Sequence, residues 1–156
     1  PARIICPIGG GGLCAGVAQT LEQTAIETRI MAVEPLGAAS MKESLAAGYP
    51  VQLKSIDGFV DGAAVKRVGA KTFAILQRTL AAVYTVNNTV LCQAMIDLYQ
   101  HEGIVTEPAG ALSVGVLNTV REVIRGQTIV CIISGGNNDL TRYPDILARA
   151  AMSNET

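Results

Sequence analysis

Three short stretches of this sequence hold residues whose types and spacing can do chemistry. Gly9-Gly10-Gly11-Gly12-Leu13 stands between an apolar run and a segment of helical spacing. Four consecutive glycines remove four side chains, so backbone N–H groups can face an anion. The start of the following helix adds a partial positive charge. That arrangement suits a phosphate and requires no lysine. Ordering such a run costs conformational entropy, which argues against a merely flexible turn. Ser134-Gly135-Gly136-Asn137 follows the most apolar run of the chain. A hydroxyl beside glycines at a strand end can approach the edge of a flat ring. A type II or I′ turn with Asn at positive φ would use the same residues. Glu107-Pro108-Ala109-Gly110-Ala111 puts an acid just before a helix, where it either complements the helix dipole or lines a ligand site.

The elements that must position these residues follow from hydrophobic periodicity. Arg3 to Ile8 reads as a buried strand with Pro7 near its end, and Leu13 to Leu21 has helical spacing. Arg29 to Val33 is a second strand, and Ala38 to Ala47 a helix closed by Gly48. Strand, helix, strand, helix is the signature of a parallel sheet. Tyr49 to Gly69 is irregular, with turns at Asp57-Gly58 and Asp61-Gly62. The pattern then predicts a helix over Val68 to Arg78, a strand over Val83 to Val86 and an amphipathic helix over Asn88 to Glu102, ended by Gly103. A helix over Pro108 to Ile124, a strand over Thr128 to Ile133 and a helix over Tyr143 to Ala151 precede a polar tail.

Composition narrows the classes. The chain has 156 residues, 49% hydrophobic and 16% charged, enough for one domain with a core. A net charge of -1 and a pI of about 5.8 supply no field for nucleic acid or an anionic membrane. Trp is absent and aromatics are 4%, which argues against a base-stacking surface. No signal peptide or membrane span is visible. Cys6, Cys14, Cys92 and Cys131 form no CxxC pair, and His101 is the single histidine. They read as small buried thiols in a reducing, cytosolic compartment, with no zinc site. A strand almost at the first residue makes the chain read as a piece of something longer.

One rival fits the first motif. Gly10-x-Gly12-x-x-Ala15, with Glu34 ending the next strand, matches the dinucleotide-binding fingerprint. The order of motifs favours another family. Pro7-Ile8-Gly9-Gly10-Gly11-Gly12-Leu13, Ala32-Val33-Glu34, Asp61-Gly62-Ala63-Ala64-Val65-Lys66-Arg67, Glu107-Pro108-Ala109-Gly110-Ala111 and Ser134-Gly135-Gly136-Asn137-Asn138-Asp139 follow one another. Together they resemble the serine/threonine dehydratases of the tryptophan-synthase-β-like (fold type II) pyridoxal-phosphate enzymes. The stretch from Asp61 to Gly69 and the Asn-Asn-Asp ending are most similar to biosynthetic threonine ammonia-lyases. The resemblance covers nearly the whole chain and outweighs the dinucleotide fingerprint.

The resemblance implies an α/β fold, an open, mostly parallel sheet flanked by helices, present in part. Residues 1–156 would be the C-terminal part of the catalytic region, mainly its large domain. It implies pyridoxal 5′-phosphate as cofactor, its phosphate held by Gly9, Gly10, Gly11, Gly12 and Leu13. Ser134 would hydrogen-bond the pyridine nitrogen, and Glu107 would lie near the pyridine end of the ring. A neutral hydroxyl there leaves the ring a milder electron sink than an aspartate would, which suits loss of a β-hydroxyl. The implied reaction is deamination of L-threonine to 2-oxobutanoate and ammonia, the first step of isoleucine biosynthesis. Serine dehydratase or racemase chemistry on L-serine is the alternative. The implied enzyme is a cytoplasmic homo-oligomer, dimer or tetramer.

Departures from the family matter as much. Its Schiff-base lysine belongs to an N-terminal Ser-x-Lys-x-Arg-Gly motif, which this sequence lacks. No catalytic residue is therefore assigned within the chain. An N-terminal segment of the same enzyme would supply the lysine, and the C-terminal regulatory domain of long family members is also missing. Lys42, Lys54, Lys66 and Lys71 read as solvated. Some relatives bind a cation through a Glu-Pro-x-x-Ala-x-Asp pattern. Glu34 and Ala38 take two of those places, but Ser40 replaces the aspartate, so a divalent site is doubtful.

Overall fold

A computed structural model describes residues 1–152; the polar tail beyond Met152 lies outside the described residues. Strand β1 (Arg3–Pro7) leads through a glycine loop into helix α1 (Gly12–Thr24). Strand β2 (Arg29–Pro35) follows, then a 3-10 turn (Leu36–Ala38) and helix α2 (Ser40–Ala47). After a long irregular segment come α3 (Ala70–Thr79), β3 (Leu80–Val86) and α4 (Asn88–Glu102). Helices α5 (Pro108–Gly115) and α6 (Leu117–Ile124) precede β4 (Ile129–Cys131), a 3-10 turn (Leu140–Arg142) and α7 (Tyr143–Ala151).

The four strands are parallel, in the order β3-β2-β1-β4. Successive side chains of a strand point to opposite faces, and both faces here are covered. Ile5, Met31 and Val33 enter one cluster, with Leu91, Cys92 and Met95 of α4, Leu112 of α5 and Ile146 of α7. Cys6, Ile30 and Ala32 enter the other, with Cys14 and Ala18 of α1, Met41 of α2 and Phe73 and Leu76 of α3. Each fully buried Leu, Ile or Met stabilises the fold by roughly 1.5–3 kcal/mol.

The expected elements are present with three changes. The helix expected over Pro108 to Ile124 is interrupted at Val116 (φ -82, ψ -13). Gly115 lacks a Cβ and packs against β3 and α4; a Cβ there would fall 3.2 Å from Val86 Cγ1. Glycine at such a contact permits the change of helix direction. The strand expected over Thr128 to Ile133 is three residues long; β4 is an edge strand that pairs with β1 from Arg3↔Ile129 to Ile5↔Cys131. Cys131 is consequently half-buried, whereas Cys6, Cys14 and Cys92 are buried as expected. Strand β3 begins three residues before the expected Val83, with an irregular register beside Ile30/Met31.

Candidate functional site

The glycine loop forms where β1 ends. The Ile8 N–H donates to the Val33 carbonyl at 2.8 Å, after which the chain turns away from β2. Gly11 stands at the N-cap of α1 with φ +89, a conformation that strains any residue with a Cβ. The Ala15 N–H reaches back to the Gly11 carbonyl at 2.8 Å. No side chain caps this helix. The orphan N–H groups of its first turn therefore border the space above the loop, with the positive end of the helix dipole behind them.

That space is a cavity of about 270 Å³. Pro7 and Gly9 to Leu13, Gly62 and Ala63, and Glu107, Ala109 and Ser134 line it, with Gly62 packed against Glu107 and Ala109. A Cβ on Gly10 or Gly12 would meet nothing within 4 Å, so the loop faces open space there. A Cβ on Gly9 would fall 2.9 Å from Ala63 Cα, so the loop and Ala63 touch directly.

The lining around Glu107 depends on small residues. The Glu107 N–H donates to the Gly135 carbonyl at 3.1 Å, which joins the start of α5 to the segment after β4. A Cβ on Gly110 would overlap the Gly135 carbonyl, and a Cβ on Gly135 would overlap the Glu107 carboxylate. Glu107 is the N-cap residue of α5, yet its side chain makes no capping hydrogen bond. It lies against Gly135 and Gly62 instead, as the one ionisable side chain among the described cavity-lining residues. Ser134 is solvent-exposed and lines the cavity. The turn with Asn137 at positive φ does not form: among the described residues Ala25 is the only non-glycine with positive φ.

The segment that leads into Gly62 and Ala63 is tied down by local and distant contacts at Asp57 and Phe59. Asp57 accepts the Phe59 N–H at 2.9 Å and the Asn88 side-chain amide at 2.7 Å. Arg142 donates to the Phe59 carbonyl at 2.7 Å, and the Arg142 and Arg149 guanidiniums lie 5.2 and 4.4 Å from the Phe59 ring centre. Two residues read from sequence only as part of a turn-bearing motif thus become a wall of the site. The sequence signal was Asp61-Gly62, and the function of that turn needs the fold.

Glu34 is elsewhere. It is fully buried, and its two carboxylate oxygens accept the N–H groups of Met41 at 2.7 Å and Lys42 at 2.9 Å, at the start of α2. Burial raises its pKa to about 7, against the lowering effect of those two bonds. Glu34 does not line the cavity, so it is not placed to hold a ribose. Ala38 is buried, and the Ser40 hydroxyl is buried without a hydrogen-bond partner. Among the described residues no three His, Cys, Asp or Glu side chains gather as a metal site. A cation at Glu34 would have to compete with two backbone donors for the carboxylate. Lys42, Lys54, Lys66 and Lys71 are all exposed, and none lines the cavity. Burial pushes the Cys92 thiol up to about 11, and contact with Cys6 pushes Cys14 up further. Both are poor nucleophiles.

The pieces gathered here fit a phosphorylated ring: an uncapped helix start with open space over its glycines, and a hydroxyl and a carboxylate lining the same cavity. Comparison with known proteins agrees. A family described as pyridoxal-phosphate dependent enzyme matches residues 1–135. The biosynthetic L-threonine dehydratase IlvA of Mycobacterium leprae is 49% identical over 153 residues, covering 96% of this chain and 35% of that protein. The chain thus spans about a third of the curated relatives it matches. The processed form of threonine deaminase isoform 2 from Solanum lycopersicum superposes with a TM-score of 0.89 at 37% identity, over 96% of this chain and 44% of that one. Maize serine racemase superposes at 0.84 with 31% identity, over 94% and 47%. Among the described residues no helix is long and apolar enough to cross a membrane.

Proposed function

The chain belongs to the pyridoxal-phosphate-dependent enzyme family, and on that footing we propose that it forms the cofactor-binding wall of an L-threonine dehydratase. One observation carries the proposal: a single cavity brings together the glycine loop, Glu107 and Ser134, from three segments far apart in sequence. When bound, pyridoxal 5′-phosphate supplies the electron sink that lets the substrate lose its α-proton and then its β-hydroxyl. Gly9, Gly10, Gly11, Gly12 and Leu13 would hold the phosphate through backbone N–H groups and the α1 dipole. Ser134 would meet the ring nitrogen with a neutral hydroxyl, and Glu107 would sit beside that end of the ring. None of the four lysines lines the cavity, so the covalent lysine is assigned to a segment outside this chain. The chain is then part of the catalytic region of a larger enzyme, whose net reaction turns L-threonine into 2-oxobutanoate and ammonia. The same proposal makes that enzyme a cytoplasmic homo-oligomer; four free cysteines suit a reducing compartment.

The test uses the full-length enzyme that carries this chain. Products are 2-oxobutanoate from L-threonine, or pyruvate and D-serine from L-serine. Threonine should be the preferred substrate. Ser134→Ala should lower turnover about two- to tenfold, the equivalent of one neutral hydrogen bond, with less change in cofactor retention. Unchanged turnover removes Ser134 from the site. D-serine as the main product moves the assignment to a racemase, and absence of all three products overturns it.

A further inference from the structure

A loop of four glycines has no side chains with which to fix its own peptide planes. Something outside it must do so if its N–H groups are to face an anion. Thr72, on the first turn of α3 and 62 residues from Gly10, meets that need. Its hydroxyl lies 2.7 Å from the Gly10 carbonyl and 2.9 Å from the Gly69 carbonyl. A hydroxyl has one proton to give, and Gly10 is the closer acceptor. The same side chain backs Gly11, where a Cβ would fall 3.0 Å from Thr72 Cβ and Oγ1. Thr72 does not line the cavity, so it touches the loop from behind.

The direction of the peptide follows. The Gly10–Gly11 bond is trans, so the Gly10 C=O and the Gly11 N–H lie in one plane and point in opposite directions. Anchoring the carbonyl on Thr72 sends the Gly11 N–H the other way, toward the cavity. With the peptide flipped, a carbonyl oxygen would confront the anion instead. We propose that Thr72 is a positioning residue for the anion cradle, its hydroxyl holding the Gly10 peptide so that the Gly11 N–H is presented to a phosphate monoester. This rests on the assignment of the glycine loop to the cofactor phosphate.

Thr72→Val keeps the branched shape and removes the hydroxyl; Thr72→Ser keeps the hydroxyl. Dissociation constants are measured for pyridoxal phosphate and for pyridoxal. The Gly11 amide resonance is followed while inorganic phosphate is added. Thr72→Val should weaken pyridoxal phosphate and inorganic phosphate about three- to tenfold, and leave pyridoxal within about twofold. Thr72→Ser should restore both phosphorylated ligands. If Thr72→Val does not fold, Thr72→Ala gives the same comparison without bulk. Undiminished binding of pyridoxal phosphate overturns the proposal. So do equal losses for pyridoxal and pyridoxal phosphate that track a fall in Tm, since Thr72 would then serve only the fold. Unmodified protein that binds pyridoxal as well as pyridoxal phosphate, with no Gly11 shift in phosphate, refutes the phosphate assignment itself, and the positioning role with it.

Discussion

Strands β1 and β2 lie side by side, and each delivers the chain to a helix whose N-cap residue offers no side-chain cap. At the start of α2 the gap is closed from within. Glu34, at the end of β2, turns its carboxylate onto the N–H groups of Met41 and Lys42. Before α1 the strand runs into a glycine loop, and the helix opens onto a cavity. The backbone physics is the same at both: unpaired donors and the positive end of a dipole. What differs is whether the chain supplies its own carboxyl group to accept those donors. On the proposed function, the start of α1 is left open for a ligand's anion because the preceding strand supplies no carboxylate to fill it.

The largest effect expected from that contrast is at Glu34. Glu34→Ala leaves two buried donors and a void, and should cost about 3 kcal/mol of unfolding free energy. Urea unfolding measures it from the shift in midpoint at constant slope. A loss below about 1 kcal/mol would mean that the carboxylate is not the cap of α2.

A somewhat smaller effect should follow pH. The Glu34 carboxyl in the folded chain titrates near 7, above its ordinary range. The folded state therefore holds this proton more tightly than the unfolded state does. The stability it contributes is complete below the ordinary glutamate pKa and fades as pH rises through about 7. Against Glu34→Gln, the unmodified protein should lose on the order of 2 kcal/mol between pH 5 and pH 8. A gap that widens in its favour instead would show the two N–H bonds outweighing burial.

At the open helix start the effect on stability depends on which glycine is changed, and the smallest is at Gly10. Gly11→Val forces a Cβ into positive φ against Thr72 and should cost roughly 1–3 kcal/mol, besides weakening the cofactor. Gly10→Ala adds a methyl where nothing lies within 4 Å. It should change stability by less than about 0.5 kcal/mol while reducing affinity for pyridoxal phosphate. If both variants bind the cofactor normally, the phosphate is held elsewhere.

The helices were legible where a stripe and a terminator coincide: Asn88–Glu102 and its stop at Gly103 match the sequence pattern end to end. Edges were less legible. The apolar run at Thr128 to Ile133 has the composition of a central strand, but β4 lies at an edge and pairs over only three positions, and the extent of pairing depends on a partner that a local window does not contain. Gly115 is an ordinary small residue in sequence and a point of contact with Val86 in the fold. Gly9 to Leu13, Glu107 and Ser134 were singled out from local motif chemistry, and the fold brings them to one cavity. Ala63 and Thr72 were not given roles, because theirs arise from contacts across dozens of residues. Glu34 was misleading for the same reason: a strand-end acid reads alike whether it meets a ribose or the chain's own helix.

The long sequence separation between β1 and β4 leads to an expected order of folding. Arg3 and Gln127, hydrogen-bonded beside the β1–β4 pairing, are 124 residues apart in sequence. Closing so long a loop costs entropy that is recovered only when the strand docks. The half of the cavity made by the glycine loop can therefore be ordered while the half that carries Ser134 is still unpaired. A ligand that touches both halves fastens the last contact to form. Its binding should register as slower unfolding, with little change in the rate of folding.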